Sequence, residues 1–277
     1  VGEIMEATTF ALVAFLVFCT AFLFAPLGLG GGMFFVPIFH YLAGWEINSA
    51  LLLVSLCLVG SVSFGGSYEH RKNQQYSPEF LKEHLWFPIV GAILGVAVVF
   101  LIEDSLNEVF KSLALLIVGW AIYRMANRIS TEENTQSKQS HGETNLVFLR
   151  SGLTFGGMIS SVMAIGAGAI HVPLIREYTD MEMRKSVGTS LNIMLFVIPI
   201  AVVTHALSMY FLSPDQWGFM IEEGVWVLLL FAILCSILGS IIGSKIAIKY
   251  FNQNILNITF LGLLIIIWLR YFVDLLL

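Results

Sequence analysis

The chemistry this chain offers is mostly bare backbone. Gly30-Gly31-Gly32, followed by Val36-Pro37, recurs 136 residues later as Gly166-Ala167-Gly168, followed by Val172-Pro173. Small residues and then a proline break a helix, and glycine lets a ligand approach the freed backbone closely. The N-termini of two half-helices present unpaired N–H groups and the positive end of a helix dipole, which suits an anion. Polar side chains follow the breaks: Ser55 in the first copy, and His171, Thr189, Ser190 and Asn192 in the second. Hydroxyl and amide donors could complete the coordination of an oxyanion without a fixed positive charge that would hold it too tightly. The candidate ligand set is therefore Gly30, Gly31, Gly32, Pro37, Ser55, Gly166, Gly168, His171, Pro173, Thr189, Ser190 and Asn192.

Each candidate has a plainer role to compete with. The glycines could serve helix crossing alone, and Thr189 and Ser190 could bond back to the preceding helical turn. Asn192 needs a partner in an apolar span. His171, whose equivalent is Phe35, could carry a proton or act as a structural donor. His205 is expected near the outer end of its span, in a hydrated structural role. No Lys, Asp or Glu lies deep in an expected span, so a cation site built from carboxylates is not supported. Cys19, Cys57 and Cys235 show no C-x-x-C spacing, and neither a metal nor a cofactor is expected.

These residues must be positioned by membrane helices. The chain is 57% apolar and 12% charged, with a mean hydropathy of +0.85, so the bilayer is its solvent. Eight stretches are long enough to cross: about 8–29, 47–68, 84–102, 107–126, 146–168, 187–212, 222–244 and 252–273. The first follows Glu3 and Glu6 with no basic residue before it and reads as a retained span rather than a signal peptide. Short apolar pieces, Met33–Ala43 and Ala169–Ile175, follow the two breaks. The polar segment Asn127–Asn145 reads as a linker between a first repeat, 1–126, and a second, 146–277. The expected fold is an all-α integral membrane protein made of two four-helix halves. Each half adds a short broken or re-entrant helix, giving 8–10 membrane segments.

Charge decides how the halves are oriented. If each glycine break turns the chain back, one side receives Arg71, Lys72, Lys82, Arg124, Arg128, Lys138, Arg150, Arg176, Arg184, Lys185, Lys245 and Lys249, and the other keeps only Lys111 and Arg270. Without the turns the division is close to even, and no orientation follows. Corresponding loops also swap character: 44–49 carries no basic residue whereas 176–185 carries Arg176, Arg184 and Lys185. The reverse holds for 69–83 and 213–223. An inverted repeat requires that reversal. Both termini are then expected outside and the linker in the cytoplasm. Gly91-Ala92-Ile93-Leu94-Gly95 and its counterpart Gly239-Ser240-Ile241-Ile242-Gly243 mark close helix packing, within one subunit or between the two of a homodimer.

With these residues in view, the chain resembles the TauE/SafE family of sulfite and organosulfur-anion exporters, also described as anion permeases. The resemblance rests on Gly28-Leu29-Gly30-Gly31-Gly32 with Val36-Pro37, on Gly166-Ala167-Gly168 with Val172-Pro173, and on Met183-Arg184-Lys185-Ser186-Val187-Gly188-Thr189-Ser190-Leu191. It implies a carrier that moves sulfite or a sulfonate such as sulfoacetate across a prokaryotic inner membrane. Two departures stand out: the counterpart of Gly188-Thr189-Ser190 is Leu53-Val54-Ser55, and the second glycine cluster carries Ala167. The expected function is secondary transport by alternating access, in the export direction that the family resemblance implies, with an anion channel or a permease for another small anion as the alternative. The partners are a small anion, the lipid bilayer and, as a further option, a coupling proton; nucleic acid is not among them. No nucleotide-binding motif is present, no Gly-x-Ser-Gly nucleophile occurs, and the six histidines are scattered, so an enzyme is not expected.

Overall fold

The computed structural model describes residues 7–131, 146–179, 181–250 and 253–276, and among these every regular element is helical. The first half contains α1 (Ala7–Phe24), α2 (Gly32–Ala43), α3 (Ser49–Lys72), α4 (Pro78–His84), α5 (Trp86–Leu101) and α6 (Leu106–Thr131). The second contains α7 (Leu146–Met163), α8 (Gly168–Tyr178), α9 (Met183–Leu212), α10 (Pro214–Met220), α11 (Glu223–Tyr250) and α12 (Gln253–Leu276). Each of the eight long apolar stretches forms a helix, and the two short pieces after the breaks form α2 and α8. Among the described residues, five helices meet the length and hydropathy of a membrane span outright, and α4 with α5, bent by 53°, meets them only as a pair. The protein is a multi-pass membrane protein.

Local chemistry sets the boundaries. Pro26 opens a single 3₁₀ turn at Ala25–Leu27, and Gly28, Gly30 and Gly31 then take φ of 72°, 72° and 74°. Left-handed backbone at three positions in four stops the helix. In the second half Ala164 (φ 49°) and Gly166 (φ 78°) do the same. Asn48 caps α3, its Oδ1 accepting from the N–H groups of Ala50 and Leu51, both at 3.1 Å. With 12 residues, α2 extends only about 18 Å, too short to cross a hydrocarbon core of roughly 30 Å. Each short helix therefore returns its chain from a hairpin tip inside the protein.

The packing is repeated in the two halves. α5 of the first half lies along α7 of the second, and α11 of the second lies along α1 of the first. α3 pairs with α9, and α6 with α12. The close pairs rest on the small-residue motifs. A methyl group on Gly91 or Gly95 would collide with the carbonyl of Thr154 or Met158; one on Gly239 or Gly243 would collide with that of Phe18 or Phe22. Phe18 and Thr154, like Phe22 and Met158, are 136 residues apart, so the contact occurs twice between the halves of one subunit. Where lipid offers no hydrophobic drive between helices, such backbone proximity supplies the van der Waals contact that holds them.

Two opposite ends can be followed through the side chains. At one, Trp45 packs edge-on against Phe219 at 5.1 Å, Ser213 Oγ donates to Glu103 at 2.7 Å, and Lys111 pairs with Asp274 at 2.5 Å. Arg270 lies 4.3 Å over Tyr41 at the same end. At the other, Arg150 pairs with Glu83 at 3.6 Å, and Thr189 meets Ser77. α1 runs parallel to α11, away from the Trp45–Phe219 end. α7 runs parallel to α5, toward it. Equivalent helices thus run in opposite senses, an arrangement consistent with an inverted repeat, and Lys111 and Arg270 share one end as the charge division expects.

Three features differ from the sequence expectation. α6 continues to Thr131, so the first residues taken for linker are helical, while 132–145 lie outside the described residues. The turns before α5 and α11 contain the short helices α4 and α10, each begun by Ser-Pro (Ser77-Pro78 and Ser213-Pro214) at the same offset of 136. His205 is fully buried rather than hydrated, with Nε2 3.5 Å from the carbonyl of Ser161.

Candidate functional site

The two glycine breaks meet. A Cβ on Gly30 would lie 3.7 Å from the Cα of Gly166, and one on Gly166 would lie 3.2 Å from the carbonyl oxygen of Leu29. Val59 of α3 and Met194 of α9 close over both: Met194 Cε would be 2.8 Å from a Gly30 Cβ and 2.9 Å from a Gly166 Cβ. Gly32 and Gly168 are locked reciprocally, the first against the carbonyl of Ala164 and the second against that of Gly28. Gly31, whose left-handed φ favours glycine, packs on Thr20 and Phe35. The hairpin tips therefore cross at the centre of the α3–α9 pair.

Both short helices begin at this crossing. Gly31 precedes α2 and Ala167 precedes α8, and neither end has a side-chain cap. Among the described residues, the first turn of each is tied only by backbone bonds such as Phe34 N–H to Gly31 O (3.0 Å) and His171 N–H to Ala167 O (2.8 Å). The N–H groups of Gly32, Met33, Gly168 and Ala169 take no part in those bonds, leaving two buried positive helix ends side by side. Pro37 and Pro173 lie inside α2 and α8, where they remove one further backbone donor each.

The polar side chains divide into engaged and unengaged groups. Ser55 Oγ donates to Ala164 O at 2.8 Å, so its proton holds the left-handed Ala164 in place. Its counterpart Ser190 is fully buried and its Oγ has no partner among the described residues. Ser190 lies one turn beyond Val187, whose side chain packs on Gly28. Thr189 Oγ1 donates to Lys185 O at 2.7 Å and accepts from the Ser77 N–H at 3.0 Å, which fastens the turn before α4 to α9. His171 fills the space left by Gly156, with Nε2 3.3 Å from Leu153 O, and so braces α8 against α7. Asn192 Nδ2 donates to Gly188 O at 2.7 Å. Its Oδ1 accepts from Arg71 Nε.

Arg71 is the residue that sequence reasoning overlooked. An arginine just past an apolar span reads as a topology determinant, and nothing in the one-dimensional pattern says that its side chain turns back to a buried amide. A subtler signal did exist: His70 and His205, both buried, are related by the same one-residue-shifted offset that relates Ser55 to Ser190. In the structure His70 lies against Gly188, 2.9 Å from where an added Cβ would sit, so the end of α3 packs on the start of α9.

The family model described as Sulfite exporter TauE/SafE matches residues 13–271. No curated protein and no solved structure matches the chain.

Proposed function

The chain belongs to the TauE/SafE sulfite-exporter family, and from that premise we propose that it is a secondary transporter that exports sulfite or a small organosulfonate across the inner membrane by alternating access. The family implies a membrane transporter of sulfite or organosulfur anions. The crossing of the two glycine breaks is the observation that carries the finer reading. It offers an anion unpaired N–H groups from two helices at once, in surroundings of low dielectric where such donors count for more than in water. Ser190 adds a hydroxyl from α9, and Gly30, Gly31, Gly32, Gly166 and Gly168 give close access to the backbone. In this reading Ser55, Thr189 and His171 hold the frame, because their polar atoms already bond to backbone groups. Rocking of one half against the other would expose the crossing to each side in turn.

Flux into proteoliposomes containing the purified protein tests this reading, with sulfite, sulfate, sulfoacetate, taurine and chloride each offered with and without a pH gradient. Saturable, exchangeable flux of sulfite or sulfoacetate is expected. Ser190→Ala should raise the half-saturation concentration about three- to tenfold, as expected for one lost neutral hydrogen bond. Absence of flux for every sulfur oxyanion would sink the proposal, and single-channel currents would mark a pore instead of a carrier.

A further inference from the structure

One end of the α3–α9 pair holds a guanidinium whose charge no neighbouring carboxylate cancels. Arg71 lies at the exposed end of α3, yet its Nε donates to Oδ1 of Asn192, a fully buried side chain of α9. The amide is fixed in turn by Nδ2 donating to Gly188 O at 2.7 Å. Arg Nε can only donate and a carbonyl can only accept, so the two bonds set the amide in one orientation. Tyr76 flanks the guanidinium, its ring centroid 5.7 Å from Cζ. Among the described residues no ion pair involves Arg71. The acidic groups on adjoining segments are Glu69, Glu79 and Glu182; the Glu79 carboxylate accepts from Ser77 Oγ at 3.2 Å. Lys72, Arg184 and Lys185 add further positive charge where α3 ends and α9 begins.

An exposed topology determinant has no need of a buried amide, whereas a guanidinium fastened at Nε presents its two terminal nitrogens as a fixed fork. That fork matches two oxygens of a sulfite or sulfonate group. Asn192 lies between Ser190 and Met194 on α9, and because positions two apart on a helix face different ways, the fork stands beside the α9 face that covers the glycine crossing rather than on it.

We propose that Arg71, positioned by Asn192, is a second anion-binding station at this end of the α3–α9 pair, taking the oxyanion group of sulfite or a sulfonate on Nη1 and Nη2. The inference rests on the transport reading and adds a fixed positive charge at this end of the pair, apart from the crossing. Asn192, expected from sequence to touch the anion, becomes a positioning residue.

Asn192→Asp separates this role from a structural one. The aspartate keeps the shape and pairs with Arg71, cancelling its charge, at the cost of the Nδ2 bond to Gly188 O. Flux and melting temperature in detergent are measured for wild type, Asn192→Asp, Arg71→Gln and Arg71→Lys. Asn192→Asp should melt near the wild-type temperature, the ion pair with Arg71 offsetting the lost bond to Gly188 O. Its half-saturation concentration for sulfite should rise about tenfold or more, the least that a charge-assisted hydrogen bond is worth. Arg71→Gln should show the same rise and Arg71→Lys a smaller one, because the charge remains and the fork is lost. If wild type transports and either neutralising variant keeps its melting temperature and its half-saturation, the station is wrong and the bond merely staples α3 to α9. If wild type moves no sulfur oxyanion, the transport reading fails instead. The station then stands only if sulfite raises the melting temperature of wild type and not that of Arg71→Gln, and it falls otherwise.

Discussion

At the scale of single residues, the two halves have diverged in how they use equivalent serines. Ser55 donates to Ala164 O, and Ser190, its counterpart, donates to nothing among the described residues. The difference has a stability signature. Ser55→Ala leaves a buried carbonyl without its donor and frees a non-glycine residue held at positive φ, which should cost about 1–3 kcal/mol. Ser190→Ala removes a buried hydroxyl with no partner and should leave stability unchanged or slightly raised. Thermal unfolding of the two variants in the same detergent checks this, and equal losses would show that the serines are equivalent after all. Sequence reasoning could name both serines, because each follows a break by a similar distance. It could not say which proton was already engaged, since that depends on where a carbonyl 109 residues away comes to lie. Arg71 escaped for the same reason: the reach of a long side chain back along α3 is a matter of three dimensions.

At the scale of helices, small residues decide which elements touch. Gly91 and Gly95 on α5, and Gly239 and Gly243 on α11, let the backbone of the opposite half come close enough that a Cβ has no room. Gly243→Ala would press on the carbonyl of Phe22, which can move only by displacing α1, and should destabilise by about 1–3 kcal/mol. Gly157→Ala, against the carbonyl of Pro88, should do likewise. Gly262 on α12 is the control, because nothing lies within 4 Å of its added methyl and alanine favours the helix; no loss is expected there. A melting-temperature series across the three variants tests the assignment. These helices were legible in the sequence because a span must be apolar for about 20 residues, and the glycine pairs stood out within them. The partner of each pair was not legible: spacing within one helix shows a close contact without saying whether it lies inside the subunit or between two. The helices α4 and α10 escaped because seven residues carry no clear period, although the repeated Ser-Pro marked their starts.

At the scale of the whole molecule, the consequential claim is that the halves face opposite ways, because only then do the two breaks meet as a pair of opposed half-sites. Among the described residues, equivalent helices such as α1 and α7 run in opposite senses between the two ends, as an inverted repeat would have them. Arg71, Arg150 and Lys185 lie at the end opposite Lys111 and Arg270. The sequence carried this through charge alone, since loops 69–83 and 213–223 differ in lysine and arginine content while matching in position. Glu79 and Asp215 turn this into an experiment. They are 136 residues apart, follow the equivalent prolines Pro78 and Pro214, and are exposed on α4 and α10. In a background lacking Cys19, Cys57 and Cys235, Glu79→Cys and Asp215→Cys are each treated with a membrane-impermeant maleimide. Sealed right-side-out vesicles should label Asp215→Cys only, and inside-out vesicles Glu79→Cys only. A parallel duplication would put both cysteines on the same side. That outcome would remove the opposed half-sites and, with them, alternating access by rocking one half against the other. Labelling from opposite sides would instead place Arg71 and the residues that begin α9 at the cytoplasmic mouth, where an exporter first meets its anion.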